Sequence, residues 1–127
     1  MLDHIGVDVA DIRTSRDFYE AALKPLGYRV IEELTPEQTG ANHIVMFGID
    51  APEFVIAEDK APGIGNHIAF RADTRAVVDA FYVEALKAGG RDNGPPGLRP
   101  DYGPTYYAAF VFDPDGFNIE AVCHAPD

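Results

Sequence analysis

Basic residues are scarce in this chain: ten lysines and arginines stand against 21 aspartates and glutamates, for a formal net charge of −11. That balance excludes nucleic acid and anionic membrane surfaces as partners, because both demand a basic footprint. Cysteine is nearly absent as well. Cys123 stands alone and has no partner for an internal disulfide, which favours a reducing, cytoplasmic setting. No apolar run approaches the roughly 20 residues that a membrane span needs. The opening MLDHIGVDVADI carries an early acid and no basic segment ahead of an apolar block, so no signal peptide is expected. Low-complexity segments and flexible linkers are missing too. What remains is 127 residues, 46% hydrophobic and 24% charged, enough for one domain that buries a core without staples.

The chain is written twice, and repeats of this kind are sought before anything else. Displaced by 63 positions, it matches itself without a gap. His4-Ile5 falls on His67-Ile68 and Phe18-Tyr19 on Phe81-Tyr82, while Ala22, Leu23, Lys24 and Gly27 fall on Ala85, Leu86, Lys87 and Gly90. Further on, Gly40, Phe47, Asp50, Phe54 and Ile56 meet Gly103, Phe110, Asp113, Phe117 and Ile119. This clustering predicts a duplication, with module one over 1–63 and module two over 64–127.

Each copy opens with a strand, HIGVDV or HIAFRA, that alternates enough to bury one face. An amphipathic helix follows, with Asp11 and Asp73 as expected N-caps and Gly27 and Gly89-Gly90 as stops. Three strands then complete a βαβββ unit, of which the first is weak in copy two. The last two are joined by DAP or DPDG turns. The predicted class is α+β, two tandem βαβββ modules.

With DPDG as a four-residue loop, Phe112 is expected opposite Phe117, Phe110 opposite Ile119 and Ala109 opposite Glu120. In copy one, Phe47 is expected opposite Ile56 and Met46 opposite Ala57. Cross-strand partners share a face. The large apolar pairs should therefore lie under the helices. Glu120, Tyr107, Ala109, Ile44, Met46 and Ala57 are left to line the other face, with Tyr106 and His43 turned away from it.

Glu120 lies mid-strand in FNIEAV, an apolar setting in which a carboxylate needs a partner, a proton or a metal. His4 and His67 occupy equivalent strand starts. Two imidazoles and a carboxylate on one wall suit a divalent cation. The plainer alternative makes both histidines satisfied core residues, paired only by ancestry, and Glu120 a surface residue. Arg71 and Asp8 each lie four residues past a histidine, on its face. Arg71 either meets an anionic substrate or pairs with Asp8.

The duplicated βαβββ pattern, with HIGVDVADIRTSRDFYEAALKPLGY and YAAFVFDPDGFNIEAV, resembles the vicinal oxygen chelate superfamily over essentially the whole chain. That group comprises glyoxalase I, bleomycin-resistance proteins, extradiol dioxygenases and fosfomycin-resistance enzymes. The resemblance implies mixed sheets curling into an open, glyoxalase-like cup, with a divalent ion (Fe, Mn, Zn or Ni) held by His4, His67 and Glu120. It implies dioxygenase or lyase/isomerase chemistry on a small oxygen-bearing substrate, or a metal-free binding protein of the bleomycin-resistance type. Arg71, Tyr107, Met46 and Ala57 are the expected substrate contacts, and Tyr107 an expected catalytic proton donor. The Glu that many members carry in the last strand of module one is replaced by Ala57, and a one-residue shift turns neighbouring Glu58 to the opposite face. Exposed sheet edges lead us to expect a homodimer, with a cavity formed within one chain or between two. The GPPGLRPDYGPT loop over 94–105 is expected to be a connector or a cavity rim.

Overall fold

In the computed structural model, residues 3–59 and 67–127 are described. The expected module boundary near residue 63 lies outside them. The first module comprises β1 (Ile5–Val9), α1 (Ile12–Leu23), β2 (Arg29–Leu34), the short α2 (Pro36–Thr39), β3 (Ile44–Gly48) and β4 (Pro52–Glu58). The second comprises β5 (His67–Arg71), α3 (Arg75–Lys87), β6 (Arg91–Asp92), β7 (Gly97–Leu98), β8 (Tyr107–Phe112) and β9 (Asn118–Cys123). The βαβββ order is present twice. Copy one adds a 3-10 turn over Lys24–Leu26 and the single turn of α2, and copy two adds β7, a short pairing inside the proline-glycine loop.

Both sheets are mixed and neither closes. The first runs β1-β4-β3-β2, and the second β5-β9-β8-β6 with β7 also on β8. In each, the opening strand lies parallel to the last, β1 to β4 and β5 to β9, while the hairpin strands are antiparallel.

The helices form for ordinary reasons. Asp11 caps α1 by accepting from Thr14 N, and the apolar positions Ile12, Phe18, Tyr19, Ala22 and Leu23 fall on one buried stripe. In α3 the cap is Thr74, which accepts from Val77 N, rather than the expected Asp73. The hydroxyl one residue later is the one that reaches the free amide. Val78, Phe81 and Ala85 form the buried stripe of α3.

The two helices pack on each other, and each covers its sheet. The modules also meet through aromatic edges. The Phe54 and Phe70 rings lie 5.3 Å apart at 82°, and Tyr28 and Phe70 5.8 Å apart at 87°. One contiguous core therefore runs through both modules.

The hairpins depart from the predicted registers. In copy one Phe47 faces Phe54 and Met46 faces Val55, two residues from expectation. A shift of two preserves the faces, so Phe47, Phe54 and Ile56 lie in the core as predicted. In copy two Phe110 faces Glu120 and Val111 faces Ile119, one residue from expectation. A shift of one exchanges the faces of β8 relative to β9.

The cause is the turn. Asp113 N donates to Phe117 O at 2.9 Å, so the loop holds three residues, Pro114 to Gly116, rather than four. Gly116 closes it with φ +86°, the left-handed position that such loops require. Asp113 Oδ1 accepts from both Asp115 N and Phe117 N, pinning the loop from inside.

Candidate functional site

β5 alternates exposed and buried, which puts His67, Ala69 and Arg71 on its open face and Ile68 and Phe70 in the core. The parallel pairing of Ala69 with Glu120 carries the Glu120 carboxylate to the same face, diagonal to His67. Glu120 is 2% exposed. His67 Nε2 lies 3.1 Å from its Oε1, and the Tyr106 hydroxyl donates to its Oε2.

The other nitrogen decides what this contact is. His67 Nδ1 lies 3.0 Å from the Asn118 carbonyl, which can only accept, so Nδ1 carries a proton. A neutral His67 then aims the lone pair of Nε2 at a carboxylate that is also acceptor-only. Such a contact needs a cation between or on its partners: a proton, giving an imidazolium or a carboxylic acid, or a metal ion. Tethering of the outer nitrogen to a carbonyl is the arrangement that orients metal-binding histidines.

Tyr106 is held from both sides. Its ring meets Tyr102 at 5.3 Å and His124 at 5.3 Å, and Thr105 Oγ1 donates to His124 O at 2.7 Å. Burial, followed by the bond to Glu120 and its charge, pushes the phenol up to about 12. At neutral pH it is a donor. Phe110, the cross-strand partner of Glu120, lays its ring nearly parallel to His67, 6.3 Å away at 23°. The Arg99 guanidinium lies 5.4 Å over the same ring and donates to the Gly97 and Pro95 carbonyls. The loop over 94–105 therefore packs on the site's flank through Arg99 over Phe110 and Tyr102 against Tyr106.

His4 just precedes β1, with its side chain 62% exposed and Nδ1 2.8 Å from Asp3 Oδ1. It borders the same cavity as His67, a cleft of about 280 Å³ between the two modules that Tyr28, Glu53, Ala69 and Arg71 also line. Among the described residues no three His, Cys, Asp or Glu side chains are grouped so as to hold a metal ion. Of the expected trio, His67 and Glu120 lie in contact, while His4 stands on the wall of the adjoining cleft.

Tyr107 is corrected by the β8 register. It faces α3, where its hydroxyl donates to Asp79 Oδ1 at 2.6 Å and the Arg75 guanidinium lies 5.1 Å over its ring. Tyr106, expected to turn away, takes its place on the open face. The signal that reveals this is Gly116, whose position implies an odd loop. Met46 and Ala57 lie half-buried on the open face of the first sheet, opposite the core-facing Val45 and Ile56, and do not border the His4–His67 cleft. Arg71 is exposed on the open face of β5 and lines the His4–His67 cleft, which Asp8 does not border, and no ion pair joins the two among the described residues. Glu58 turns toward α1, where its Oε2 accepts from Ile12 N at 3.0 Å. It is committed to the helix start and does not stand in for the glutamate missing at Ala57. His43 lies on the helix side, 2.7 Å from Glu33, which also meets Arg16 at 3.2 Å.

Two open mixed sheets, a cleft between repeated modules and a His–Glu pair beside it define a glyoxalase-type fold. The chain belongs to the glyoxalase/bleomycin resistance protein/dioxygenase superfamily, whose family model matches residues 1–121. It is 31% identical to an uncharacterized protein, YqjT, of Bacillus subtilis (strain 168), over 95% of this chain and 97% of that one. A crystal structure of a glyoxalase/bleomycin resistance protein from Albidiferax ferrireducens T118 matches with a TM-score of 0.78 at 28% identity, over 97% of this chain and 98% of the other. The fold is also that of FosX, a fosfomycin resistance protein from Listeria monocytogenes, with a TM-score of 0.68 at 19% identity over 96% and 88%. That structure is a complex with manganese(II) and a dihydroxypropylphosphonic acid. No helix among the described residues is long and apolar enough to cross a membrane.

Proposed function

We propose that this protein is a small cytoplasmic metalloenzyme acting on an oxygen-bearing small molecule. His67 and Glu120 would hold the divalent ion, and His4, from the wall of the shared cleft, would be the third donor. The observation that carries the reading is the approach of His67 Nε2 to Glu120 Oε1 at 3.1 Å while Nδ1 is tied to the Asn118 carbonyl. An imidazole nitrogen and a buried carboxylate oxygen facing each other beside a cleft suit a shared cation. When bound, such an ion supplies Lewis acidity toward substrate oxygens.

The chain's own residues do the rest. The cleft between the modules orients the substrate. Arg71, exposed on His67's strand face and unpaired with Asp8, is the proposed contact for a substrate anion. Ala57 and the engagement of Glu58 with α1 argue against the four-ligand glyoxalase type and favour a two-histidine, one-carboxylate site, with dioxygenase or other lyase/isomerase chemistry. Strand β2 ends the first sheet, and we propose a homodimer that covers such edges. Sedimentation at micromolar concentration would return a monomer if that is wrong.

The test is elemental analysis and calorimetric titration of purified protein with Fe(II), Mn(II), Zn(II) and Ni(II). One equivalent is expected for wild type, with binding lost in His67→Ala and in Glu120→Gln. Equal absence of metal in all three overturns the reading. That outcome would favour a metal-free binding protein of the bleomycin-resistance type.

A further inference from the structure

We propose that the His4–His67 cleft selects a bipolar small molecule, one that carries a carboxylate for Arg71 and an ammonium for Glu53. The proposal rests on the reading above that this cleft receives the substrate with Arg71 as its anion contact, and it adds the substrate's second charge. It holds whether or not a metal ion is bound.

The charges lining the cleft fall into two sets. Asp3 and His4 meet each other, with His4 Nδ1 2.8 Å from Asp3 Oδ1, and His67 is engaged by Glu120 at 3.1 Å. Arg71 and Glu53 are left over. Arg71 has no ion pair, side-chain hydrogen bond or ring contact among the described residues, and Glu53 has one long bond, from Ile49 N to Oε2 at 3.4 Å. The cation comes from β5 of module two and the carboxylate from β4 of module one. Both line one cavity of about 280 Å³, yet they do not pair across it. A ligand that is only an anion is drawn to Arg71 and repelled by Glu53, and a ligand that is only a cation meets the reverse. A ligand bearing both charges satisfies both walls at once.

The walls sharpen the selection. Glu53 is half-buried rather than out in solvent, and its charge, after burial, raises the Tyr28 phenol in the same wall. Charges held in such a setting interact more strongly than at an open surface. The Tyr28 ring is set edge-on to Phe70, 5.8 Å away, which fixes that wall across the module seam. The volume lies just below the usual range of roughly 300–1,000 Å³ for ligand pockets. It has room for a molecule of amino-acid size and not for a peptide.

The experiment is an amide NMR titration of the protein as purified, following the signals of Glu53, Ala69 and Arg71. The probes are glycine, β-alanine, γ-aminobutyrate and δ-aminovalerate, each beside the matching carboxylic acid without the amine and the matching amine without the acid. One spacer length is expected to bind about tenfold tighter than either of its matched controls. Arg71→Gln should lower that zwitterion to the affinity of its amine, and Glu53→Gln to that of its acid. Unfolding midpoints equal to wild type confirm that both variants are folded. A zwitterion that binds no tighter than its acid overturns this inference and leaves Arg71 standing as an anion contact. Full affinity in Arg71→Gln overturns the inference and the Arg71 contact together. No shift at these amides with any probe up to its solubility limit overturns the inference, while the separate metal titration decides the metal reading.

Discussion

Tyr19 and Asp113 belong to different modules, yet the Tyr19 hydroxyl donates to Asp113 Oδ2 at 2.6 Å with both residues buried. Burial raises the phenol well above its ordinary value, and the charge of Asp113 adds to the effect. Removing the hydroxyl in Tyr19→Phe leaves a buried carboxylate oxygen without its partner, at an expected cost of about 1.5–3 kcal/mol, measured by urea unfolding. Asp113 itself is raised, chiefly by burial, although the bonds from Tyr19 and from the Phe117 and Asp115 amides act the other way. The folded state then holds this proton more tightly than the unfolded chain. Its contribution to stability is complete below the ordinary carboxylate value of about 3.9 and is lost as pH rises through the raised value. Asp113→Asn lacks that loss, so its stability relative to wild type should improve as pH rises from about 4. Paired denaturation curves across that range check the slope, and a gap that narrows with acidification in wild type's disfavour would contradict it.

At the scale of elements, strand parity decides which side chains reach the site. The copy-one loop errs from the predicted register by two and keeps its faces, aided by Gly48, where an added Cβ would lie 1.9 Å from Ala51 O. The copy-two loop errs by one and exchanges Tyr106 with Tyr107. A gapless self-alignment cannot detect this. It equates Phe47 with Phe110, but Phe47 is fully buried beneath α1, whereas Phe110 stacks beside His67 on the open face. Matching residue types across a duplication therefore does not guarantee matching environments. Gly116 carries the odd loop, so Gly116→Ala should cost about 1–2 kcal/mol from the left-handed conformation alone. Asn, which tolerates that region, should cost less. Urea midpoints for the two variants separate these outcomes, and equal values would remove the argument for strain.

At the scale of the whole molecule, the modules are joined by more than the helix pair. Asp115 Oδ1 accepts from Ala10 N at 3.0 Å, so the DPDG turn of module two reaches the start of module one, and Phe54 and Phe70 close the core across the seam. One contiguous core predicts one cooperative transition, with equal calorimetric and van't Hoff enthalpies. Phe70→Ala should lower it by about 3–5 kcal/mol without splitting it. Two resolved transitions would show that the modules unfold separately. Sequence alone determined the duplication, the βαβββ order and the core faces of copy one, because apolar periodicity and local turn signals are properties of neighbouring residues. It also expected His67 and Glu120 on one wall, and the parallel register of β5 on β9 brings them there. Tertiary structure alone decided that Tyr106 rather than Tyr107 meets Glu120, that Glu58 serves α1, and that Arg71 stands apart from Asp8. Each of these depends on strand register or on the relative seating of modules, where a single-residue step or a few ångströms change a side chain's partners.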